Sequence, residues 1–589
     1  VGSEMCIRDS LYGMNEEIEE YYEELYRLYI DENQPLERRY RQLRESLERV
    51  VREKIQGNSL QTTDLAARIN YVATQYGLDL KEQNQLHTFR LTSNDILNHR
   101  KSPVKEEFLR DLRAVAYAYR KMFAQDIPLK LFSVLPKQEI ASSGKKEKME
   151  YIRRIRVCFD YADDTYLYVH PVDVIADELI RVVYNKPGIN HEFEETIKEL
   201  WRYAQLNLLD VSVDRDGIYT PSFIVLEPDY LIDISSLAEC YKDYGSHPAN
   251  YFLSRLVPID NARPLLLGNI ANLFLDEWIH AGEEEPDYID CMKKAFRQYP
   301  IELAACAELR DPSKEKEFAK DCRMHFEHIR DVVQHTFLEP GYNLDKKEAV
   351  LEPSYICEAL GIQGRLDYMQ RDMSSFIEMK SGKADEFSMQ GKVEPKENNK
   401  VQMLLYMAVL EYSMGQDRRR MHPYLLYTRY PLLYPARASW AQVRRVINLR
   451  NRIVAAEYGV QFHNHPDFTR NLLAQINPEV VNERKLSGRF WEQYLKPSIS
   501  RFREKLSALE PLEQAYFYTL YNFITKELYT SKSGDVDYEG RAGASALWLS
   551  TLDEKREAGE ILYDLQIMEN RASQAHNCLL YTSPSPRDS

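Results

Sequence analysis

The sequence lacks the patterns that would place the chain in a membrane or in an oxidising compartment. Its eight cysteines include no CxxC pair, which is typical of free, mostly buried thiols in a reducing cytoplasm. No apolar run approaches the roughly 18 residues of a membrane-spanning helix. Hydrophobic residues at 44%, charged residues at 29% and the absence of a long low-complexity tract predict a globular, cytoplasmic protein.

Positive charge is outnumbered by negative charge, with 77 lysines and arginines against 92 aspartates and glutamates. The formal net charge of -15 argues against a protein that coats nucleic acid over its whole surface, because phosphate binding needs a concentrated positive potential. Any contact with DNA must therefore be local. Residues 417–452 contain nine arginines against the single acid Asp417, although a solvated helix face would explain such a run as well. The candidate DNA contacts are four arginines of this run, Arg444, Arg445, Arg450 and Arg452.

A length of 589 residues exceeds what one hydrophobic core usually supports, so several domains are expected. Both ends, VGSEMCIRDS and CLLYTSPSPRDS, resemble translated sequencing-adapter read-through and are excluded from the fold prediction. We therefore expect the natural protein to continue past residue 577. The predicted segments are adapter-like 1–13, an N-terminal α+β region at 14–220, a catalytic domain at 221–438, a mostly helical connector at 439–576 and adapter-like 577–589.

Hydrophobic periodicity predicts the secondary structure of the middle of the chain. Helical spacing covers residues 264–280 and 314–338. Strand patterns follow in ICEALGIQGRLDYMQ and SFIEMKSGK, which a short RDMS turn separates. The helix KVQMLLYMAVLEYSM and the strand HPYLLYTRY come next. This order of helix, strands, helix and strand predicts an α/β domain.

One short stretch, GRLDYMQRDMSSFIEMKSGK, carries the clearest chemistry. Successive side chains of a strand point to opposite faces, so Glu378 and Lys380 project together while Met379 enters the core. A hairpin across residues 371–374 would bring Asp367 beside them. Two carboxylates and an amine then converge, and such hard oxygen ligands suit Mg²⁺. Lys380 could orient a bound water or steady developing charge.

The surrounding residues strengthen this interpretation, because Asp367, Glu378 and Lys380 alone could be charges on an exposed hairpin. Gly364 precedes Asp367 by three positions, and the helix that follows carries Gln402 and Tyr406 on one face. The ordered set resembles the RecB-type branch of the PD-(D/E)XK nucleases, whose pattern is G-x-x-D, then (D/E)-x-K, then Q-x-x-x-Y. GRLD, EMK and QMLLY match it in order and spacing.

The resemblance covers about residues 229–430 and implies both a fold and an activity. The expected fold is α/β, with a restriction-endonuclease-like core in which helices flank a mixed sheet. The expected activity is hydrolysis of DNA, at single-stranded ends or flaps, with Mg²⁺ or Mn²⁺. The implied catalytic residues are Asp367, Glu378, Lys380, Gln402 and Tyr406, and the implied metal ligands include Asp367 and Glu378.

The sequence departs from the family at two places. The family opens with a helix bearing G-x-x-x-H, whose histidine binds the metal, but GNIAN puts Asn272 at that position. We carry over Asn272 and Asp276 as ligands, with His325 or His328 as the alternative source. Cys240 resembles the first cysteine of relatives that hold an iron–sulfur cluster, yet no cysteine lies between 357 and 578, so no cluster is expected.

A weaker resemblance concerns the tail. Segments such as LEPLEQAYFYTLYNFITKEL are similar to the stretch that joins nuclease to helicase in bacterial relatives of the eukaryotic replication helicase–nuclease. The resemblance implies a helicase domain as partner, on a missing C-terminal part, and a role in replication or repair. The competing hypothesis is a decayed nuclease fold that serves as a DNA-binding or scaffold module, and Asn272 is its best support.

Overall fold

The computed structural model describes residues 18–55, 64–136, 150–256, 263–387, 392–534, 543–570 and 579–582, apart from the single positions 173, 175, 177, 283, 343, 438, 560 and 564. The chain is a mixed α/β protein whose elements surround three clusters of buried apolar side chains. Segment 1–13 and most of 577–589 lie outside the described residues. Within the described ranges, no helix is both long and apolar enough to cross a membrane.

The N-terminal region begins as a bundle of helices. They cover 18–30, Leu36–Ile55, Leu65–Gln75, Leu80–Leu97, Lys105–Phe123 and Leu129–Phe132. Their apolar faces meet in one cluster that includes Tyr40, Phe89 and Phe108. Asp79 starts the fourth helix with a capping box, since its side chain accepts from the Glu82 N–H while Glu82 accepts from the Asp79 N–H.

A six-stranded sheet follows the bundle. Its strands are Glu150–Ala162, Tyr166–Pro171, Ile180–Val183, Gln205–Val213, Ile218–Thr220 and Phe223–Leu226, with the short helices His191–Phe193 and Glu194–Lys198 between the third and fourth. The first strand pairs with both the second and the fourth, which closes five strands into a small barrel.

The domain boundary predicted before residue 221 falls inside this sheet and is wrong. Phe223–Leu226 pairs with Gln205–Val213 in the same sheet. All four residues of Phe223–Leu226 are buried, so the strand is uniformly apolar and resembles the start of a new domain. The change in hydrophobic pattern near residue 221 therefore reflects a fully buried strand and not a boundary between two domains.

A five-stranded mixed sheet occupies the middle of the chain. In spatial order its strands are Leu432–Pro435, His422–Tyr427, Ser375–Lys380, Tyr368–Gln370 and Ala349–Leu351. The second and third of these are parallel, and the other pairs are antiparallel. A three-stranded sheet lies earlier in the same region, formed by Ile232–Asp233, Ile362–Arg365 and Ser354–Cys357. Asp385–Phe387 and Lys392–Glu394 form a separate hairpin.

Helices cover both faces of the five-stranded sheet. On one face Met379 joins a cluster formed with Arg263–His280 and Pro312–Gln334. On the other face Leu425 packs with Glu397–Met414, the helix that connects the two parallel strands. Shorter helices in this region are Ile234–Ala238, Ala249–Leu256, Tyr288–Gln298, Pro300–Ala305, Ala307–Arg310, Thr336–Leu338 and Lys346–Glu348.

The C-terminal region is mostly helical, as predicted. Its helices are Trp440–His463, Pro466–Ala474, Pro478–Val481, Trp491–Leu495, Lys496–Ser507, Pro511–Ser533, Ala546–Leu549 and Leu552–Ala558. The strands Gln566–Asn570 and Leu579–Thr582 form a hairpin. Tyr458 and Tyr529 join the cluster that also holds the inner side of the six-stranded sheet, so this region and the sheet share one core.

Candidate active site

Strand register places Asp367 beside Glu378. Tyr368 pairs with Ile377 across two antiparallel strands, so Asp367, one residue earlier, lies opposite Glu378. The Asp367 carboxylate accepts a hydrogen bond from the Met379 N–H, with Oδ2 2.6 Å from the nitrogen. The hairpin expected across residues 371–374 is present, and it brings the two carboxylates to one place.

Alternation along the strand places Glu378 and Lys380 on one face. Met379, between them, is buried in the cluster on the opposite face, as expected for a pleated strand. The Lys380 ammonium donates to Glu378, with Nζ 2.8 Å from Oε1. The two side chains therefore point to the sheet face that the Glu397–Met414 helix covers.

That helix brings two more of the expected residues to the same face. Gln402 donates from Nε2 to Glu378 Oε1 at 2.6 Å. Tyr406, one turn later, donates its hydroxyl to the Arg365 carbonyl at 2.5 Å. A Cβ at Gly364 would lie 3.1 Å from the Tyr406 ring, so the glycine of GRLD permits this close approach.

Glu378 is held in an unusual electrostatic state. It is 3% exposed, and burial together with the charge of Asp367 raises its pKa to about 8. Oε1 receives both Lys380 and Gln402, whereas Oε2 has no hydrogen-bond partner in the described part of the chain. Burial alone would lower the pKa of Lys380, but the carboxylates of Glu378 and Asp367 outweigh it and raise that pKa.

An orphaned buried carboxylate oxygen is costly unless a cation or donor meets it. The donor set also suits a hard divalent cation, since it consists of carboxylate oxygens on adjacent strands. Asp367 shares the environment, because burial raises its pKa while Lys380 and the Met379 N–H oppose that shift. Asp367 and Glu378 therefore fit the metal that the sequence predicts.

The two tentative ligands lie on the Arg263–His280 helix. Burial and the charges of Glu352 and Asp367 raise the pKa of Asp276 to about 7, so this carboxylate is close to the site. A Cβ at Gly268 would lie 3.3 Å from the Ser381 hydroxyl. Asn272 is half-buried between these points on one helix face, and its role as a ligand stays a prediction.

The alternative histidines lie on the Pro312–Gln334 helix. Burial lowers the pKa of His325 to about 4, so its imidazole is neutral. His328 uses Nδ1 in a 3.0 Å hydrogen bond with the Thr428 carbonyl. Among the described residues, no hydrogen bond joins either histidine to Asp367 or Glu378, whereas the charge of Asp367 acts on Asp276, which makes Asp276 the better candidate.

Two residues at the site were missed by sequence reasoning. Glu352 donates its N–H to the Asp367 carbonyl at 3.1 Å and has a positive φ of 49°. Arg365 pairs with Glu352 at 3.2 Å. Arg365 lies within GRLD, so the motif could have identified it. Glu352 belongs to no motif, and only the left-handed turn brings it here.

The arginine-rich run is only partly available to a ligand. Arg450 is fully buried and donates to the carbonyls of Glu227 at 2.8 Å and Tyr230 at 2.6 Å. Its prediction as a DNA contact is wrong, because its guanidinium is consumed by backbone oxygens. Arg444 is engaged with Glu192 at 3.0 Å. Arg445 and Arg452 are the two candidates without a partner in the described ranges.

The surroundings of Cys240 do not resemble those of an iron–sulfur ligand. It is buried, and its Sγ donates to the Ser236 carbonyl at 3.3 Å. Burial raises the pKa of this thiol to about 12, so it is held in the protonated form. The expected absence of an iron–sulfur cluster stays a prediction.

A second group of possible ligands lies far along the chain from the site. One ligand atom each from Glu37, His99 and Asp553 lies within 4.8 Å of the others. Arg41 already pairs with Asp553 at 2.6 Å, so an ion-pair network between the N-terminal bundle and the Leu552–Ala558 helix accounts for this group.

Comparison with models of known protein families finds no match, and comparison with curated protein sequences finds none either. The functional conclusion therefore depends on the geometry of the site and on the motif resemblance.

Proposed function

We propose that this chain is a metal-dependent nuclease of the PD-(D/E)XK type that hydrolyses DNA phosphodiester bonds at single-stranded ends or flaps. The observation that carries the proposal is the convergence of Asp367, Glu378 and Lys380, with Oε2 of Glu378 buried and without a hydrogen-bond partner in the described part of the chain. The mixed sheet with helices on both faces supports a restriction-endonuclease-like core for this region.

The residues of the site have distinct roles in this proposal. Asp367 and Glu378 would hold Mg²⁺ or Mn²⁺, with Asp276 and Asn272 as further oxygen donors. When bound, such a cation polarises the phosphodiester and lowers the pKa of a water. Gln402 fixes the rotamer of Glu378 through Oε1 and leaves Oε2 for the cation. Tyr406 fixes the strand before Asp367 through the Arg365 carbonyl.

Lys380 acts on the substrate side of the site. Its ammonium is kept charged by the two carboxylates and can donate to the attacking water or to a phosphate oxygen. Water adds to phosphorus as the bond to the leaving oxygen breaks, and that oxygen takes up a proton. Stabilising the charge that develops in this step is where a fixed donor has its largest effect.

The test compares digestion of labelled DNA by the parent protein and by Lys380→Ala in Mg²⁺. We expect the variant to lose at least about 100-fold in turnover, the usual effect of one removed donor, with DNA affinity nearly unchanged. Lys383→Ala is the control, because Lys383 is exposed three residues later and should keep full activity. Equal turnover in all three proteins would contradict the proposed mechanism.

The competing function is a decayed nuclease fold that binds DNA as a scaffold. Asn272 at the position of the family histidine favours it. The same assay separates the two, since a scaffold would bind DNA without any Mg²⁺-dependent product. Coupling to a helicase and a place in replication or repair rest on the resemblance of the tail alone.

A further inference from the structure

Two cavities adjoin the first turns of the Glu397–Met414 helix. The larger, about 680 Å³, lies between that helix and the strands His422–Tyr427 and Leu432–Pro435. The smaller, about 280 Å³, lies between the start of the same helix and Trp440–His463. Gln442 lines both, so the two cavities are neighbours that share one wall.

The larger cavity has the chemistry of a pocket for a flat ring. Its floor consists of Met403, Leu404, Leu425 and Leu432, and the half-buried ring of Tyr434 forms a wall. Its volume lies within the range of cavities that enclose a small organic group. An aromatic ring over an aliphatic floor is the arrangement on which a nucleobase stacks regardless of its sequence.

The rims of the two cavities are cationic in a chain that is acidic overall. Five cations line them, against three carboxylates: Lys400, Arg437, Arg445, Arg452 and Arg484, against Glu394, Glu397 and Glu483. Arg484 is paired with Glu397 at 2.5 Å and Lys400 with Glu394 at 3.7 Å. Within the described ranges, Arg445 and Arg452 have no such partner, so their charge is available to an anion.

Sheet register places these cavities next to the candidate active site. Leu425 on the cavity floor pairs with Glu378 on the neighbouring strand, a separation of about 4.8 Å between strands. Gln402, which contacts Glu378, lies five residues after Glu397 on the same helix, about 7.5 Å along its axis. A nucleic-acid strand that crosses the start of this helix could therefore occupy both the cavities and the candidate active site.

We propose that the two cavities together bind one unpaired nucleotide adjacent to the scissile phosphodiester, with its base against Tyr434 and its phosphate on Arg445 and Arg452. This inference rests on the proposed nuclease function and narrows its substrate. A base inserts into such a pocket only when it is neither stacked nor paired. The subsite therefore selects single-stranded nucleic acid and excludes an intact duplex from the site.

The small five-stranded barrel is a second surface to consider. Some five-stranded barrels bind single-stranded nucleic acid on the face of their second and third strands and on the adjoining loops. Tyr161 stacks on Tyr168 there, with ring centroids 4.3 Å apart. The adjoining loops carry four aspartates, Asp163, Asp164, Asp214 and Asp216. That charge repels phosphate, which leaves the cavities beside Gln442 as the favoured site.

The first test needs no change at the subsite itself. Full-length Lys380→Ala protein in EDTA is titrated into fluorescein-labelled single-stranded DNA of about 16 nucleotides, the upper end of a one-module site. A single abasic position is moved along the whole strand. We expect one position, or two neighbours, to weaken binding by about 5- to 150-fold, the effect of losing one stacked base. Equal affinity at every position would overturn the proposal.

Variants then assign the effect to Tyr434. Tyr434→Ala should weaken binding of the intact strand by a similar factor and remove the abasic effect, whereas Tyr434→Phe, which keeps the ring, should retain both. Affinity for blunt duplex should not change in either variant. A position-specific loss that persists in Tyr434→Ala would place the base elsewhere and overturn the assignment.

The phosphate half of the subsite is tested by salt dependence. Arg445→Ala combined with Arg452→Ala should reduce the slope of log K against log salt by about 0.7, the value for one phosphate contact on a single strand. Arg501→Ala is the control, since Arg501 is exposed and lines neither cavity. An unchanged slope in the double variant would remove these arginines from the subsite.

The outcome is independent of the nuclease assay. Cleavage by the parent protein with no abasic effect would refute the subsite and leave the nuclease proposal intact. A position-specific abasic effect without any Mg²⁺-dependent cleavage would retain the subsite and favour the scaffold function.

Discussion

Glu378 shows how two oxygens of one carboxylate can be given different tasks. Lys380 and Gln402 both donate to Oε1, so that oxygen is saturated and the rotamer is fixed. Oε2 is buried without a partner in the described chain, which is unfavourable for the protein alone. The side chain is therefore arranged for an incoming cation rather than for stability, as functional sites often are.

Arg365 is an exposed residue beside the candidate active site. Its removal should change the protonation of the neighbouring carboxylates. Its guanidinium lowers the pKa of both Asp276 and Asp367, against the burial that raises them. Removing it in Arg365→Ala should raise both pKa values further. More of the carboxylate is then protonated at a given pH, so the acidic limb of the pH–rate profile should move to higher pH and activity on that limb should fall.

A second exposed ion pair provides the control. Arg371 pairs with Glu348 at 3.4 Å and is similarly exposed, but neither residue contacts the catalytic candidates. Arg371→Ala should leave the profile in place and keep activity within about twofold, as expected for an exposed ion pair. If both variants shift the profile equally, the effect belongs to net charge and not to the site.

At this scale the sequence predicted more than single residues. Asp367, Glu378, Lys380, Gln402 and Tyr406 were all expected to meet, and they do, because strand alternation and the i, i+4 spacing of a helix determine which faces they share. Glu352 could not be predicted, since a positive φ is a property of the folded turn. Arg450 could not be recognised as buried, because its carbonyl partners are more than 80 residues away.

The elements around the site form a crossover unit. Ser375–Lys380 and His422–Tyr427 are parallel neighbours, so the chain must return across the sheet between them. The Glu397–Met414 helix makes that return and passes directly over Glu378. Periodicity predicted both strands and the helix, but their parallel pairing depends on tertiary packing that no local pattern contains.

Gly364 allows the crossover helix Glu397–Met414 to pack closely against the strand Ile362–Arg365. Replacing this glycine should therefore disturb the packing of the helix. In Gly364→Ala the new Cβ would lie 3.1 Å from Tyr406 and from Ile234, tighter than most contacts in a packed core. Overpacking of this kind should lower the free energy of unfolding by about 1–3 kcal/mol, measured by urea denaturation, and should displace Gln402 enough to reduce cleavage.

A double-mutant cycle identifies the cause. Tyr406→Phe removes the hydroxyl that the new Cβ meets, so Gly364→Ala should cost less in that background, and the two effects should not add. Strict additivity would show that the new Cβ acts through a contact other than the Tyr406 hydroxyl.

At the scale of the whole molecule, one of the three buried clusters crosses the predicted domain boundary. The six-stranded sheet, the crossover helix and the C-terminal helices contribute to one buried cluster. Arg450 lies where they meet, donating to the carbonyls of Glu227, Tyr230 and Gly361. Burial lowers its pKa to about 10, and the neighbouring carbonyl dipoles keep the guanidinium charged at neutral pH.

We expect replacement of Arg450 to lower the global stability of the protein. Arg450→Met keeps the length of the side chain but leaves several buried carbonyls without a donor, which should cost about 3 kcal/mol or more. Arg445→Met, an exposed position on the same helix, should change stability by about 0.5 kcal/mol at most. Differential scanning calorimetry of both variants would show a lowered transition for Arg450→Met alone, and matching transitions would refute the central role of Arg450.

The distance along the chain between Arg450 and its partners also sets a delay during translation. Arg450 and Glu227 are 223 residues apart in the chain. At the usual pace of translation, roughly 10 to 45 s pass between the synthesis of the two. During that interval the last strand of the six-stranded sheet has emerged while the cation that its end requires has not yet been made. Until codon 450 has been translated, the carbonyls of Glu227 and Tyr230 therefore lack the donor that they have in the folded protein, and water must satisfy them.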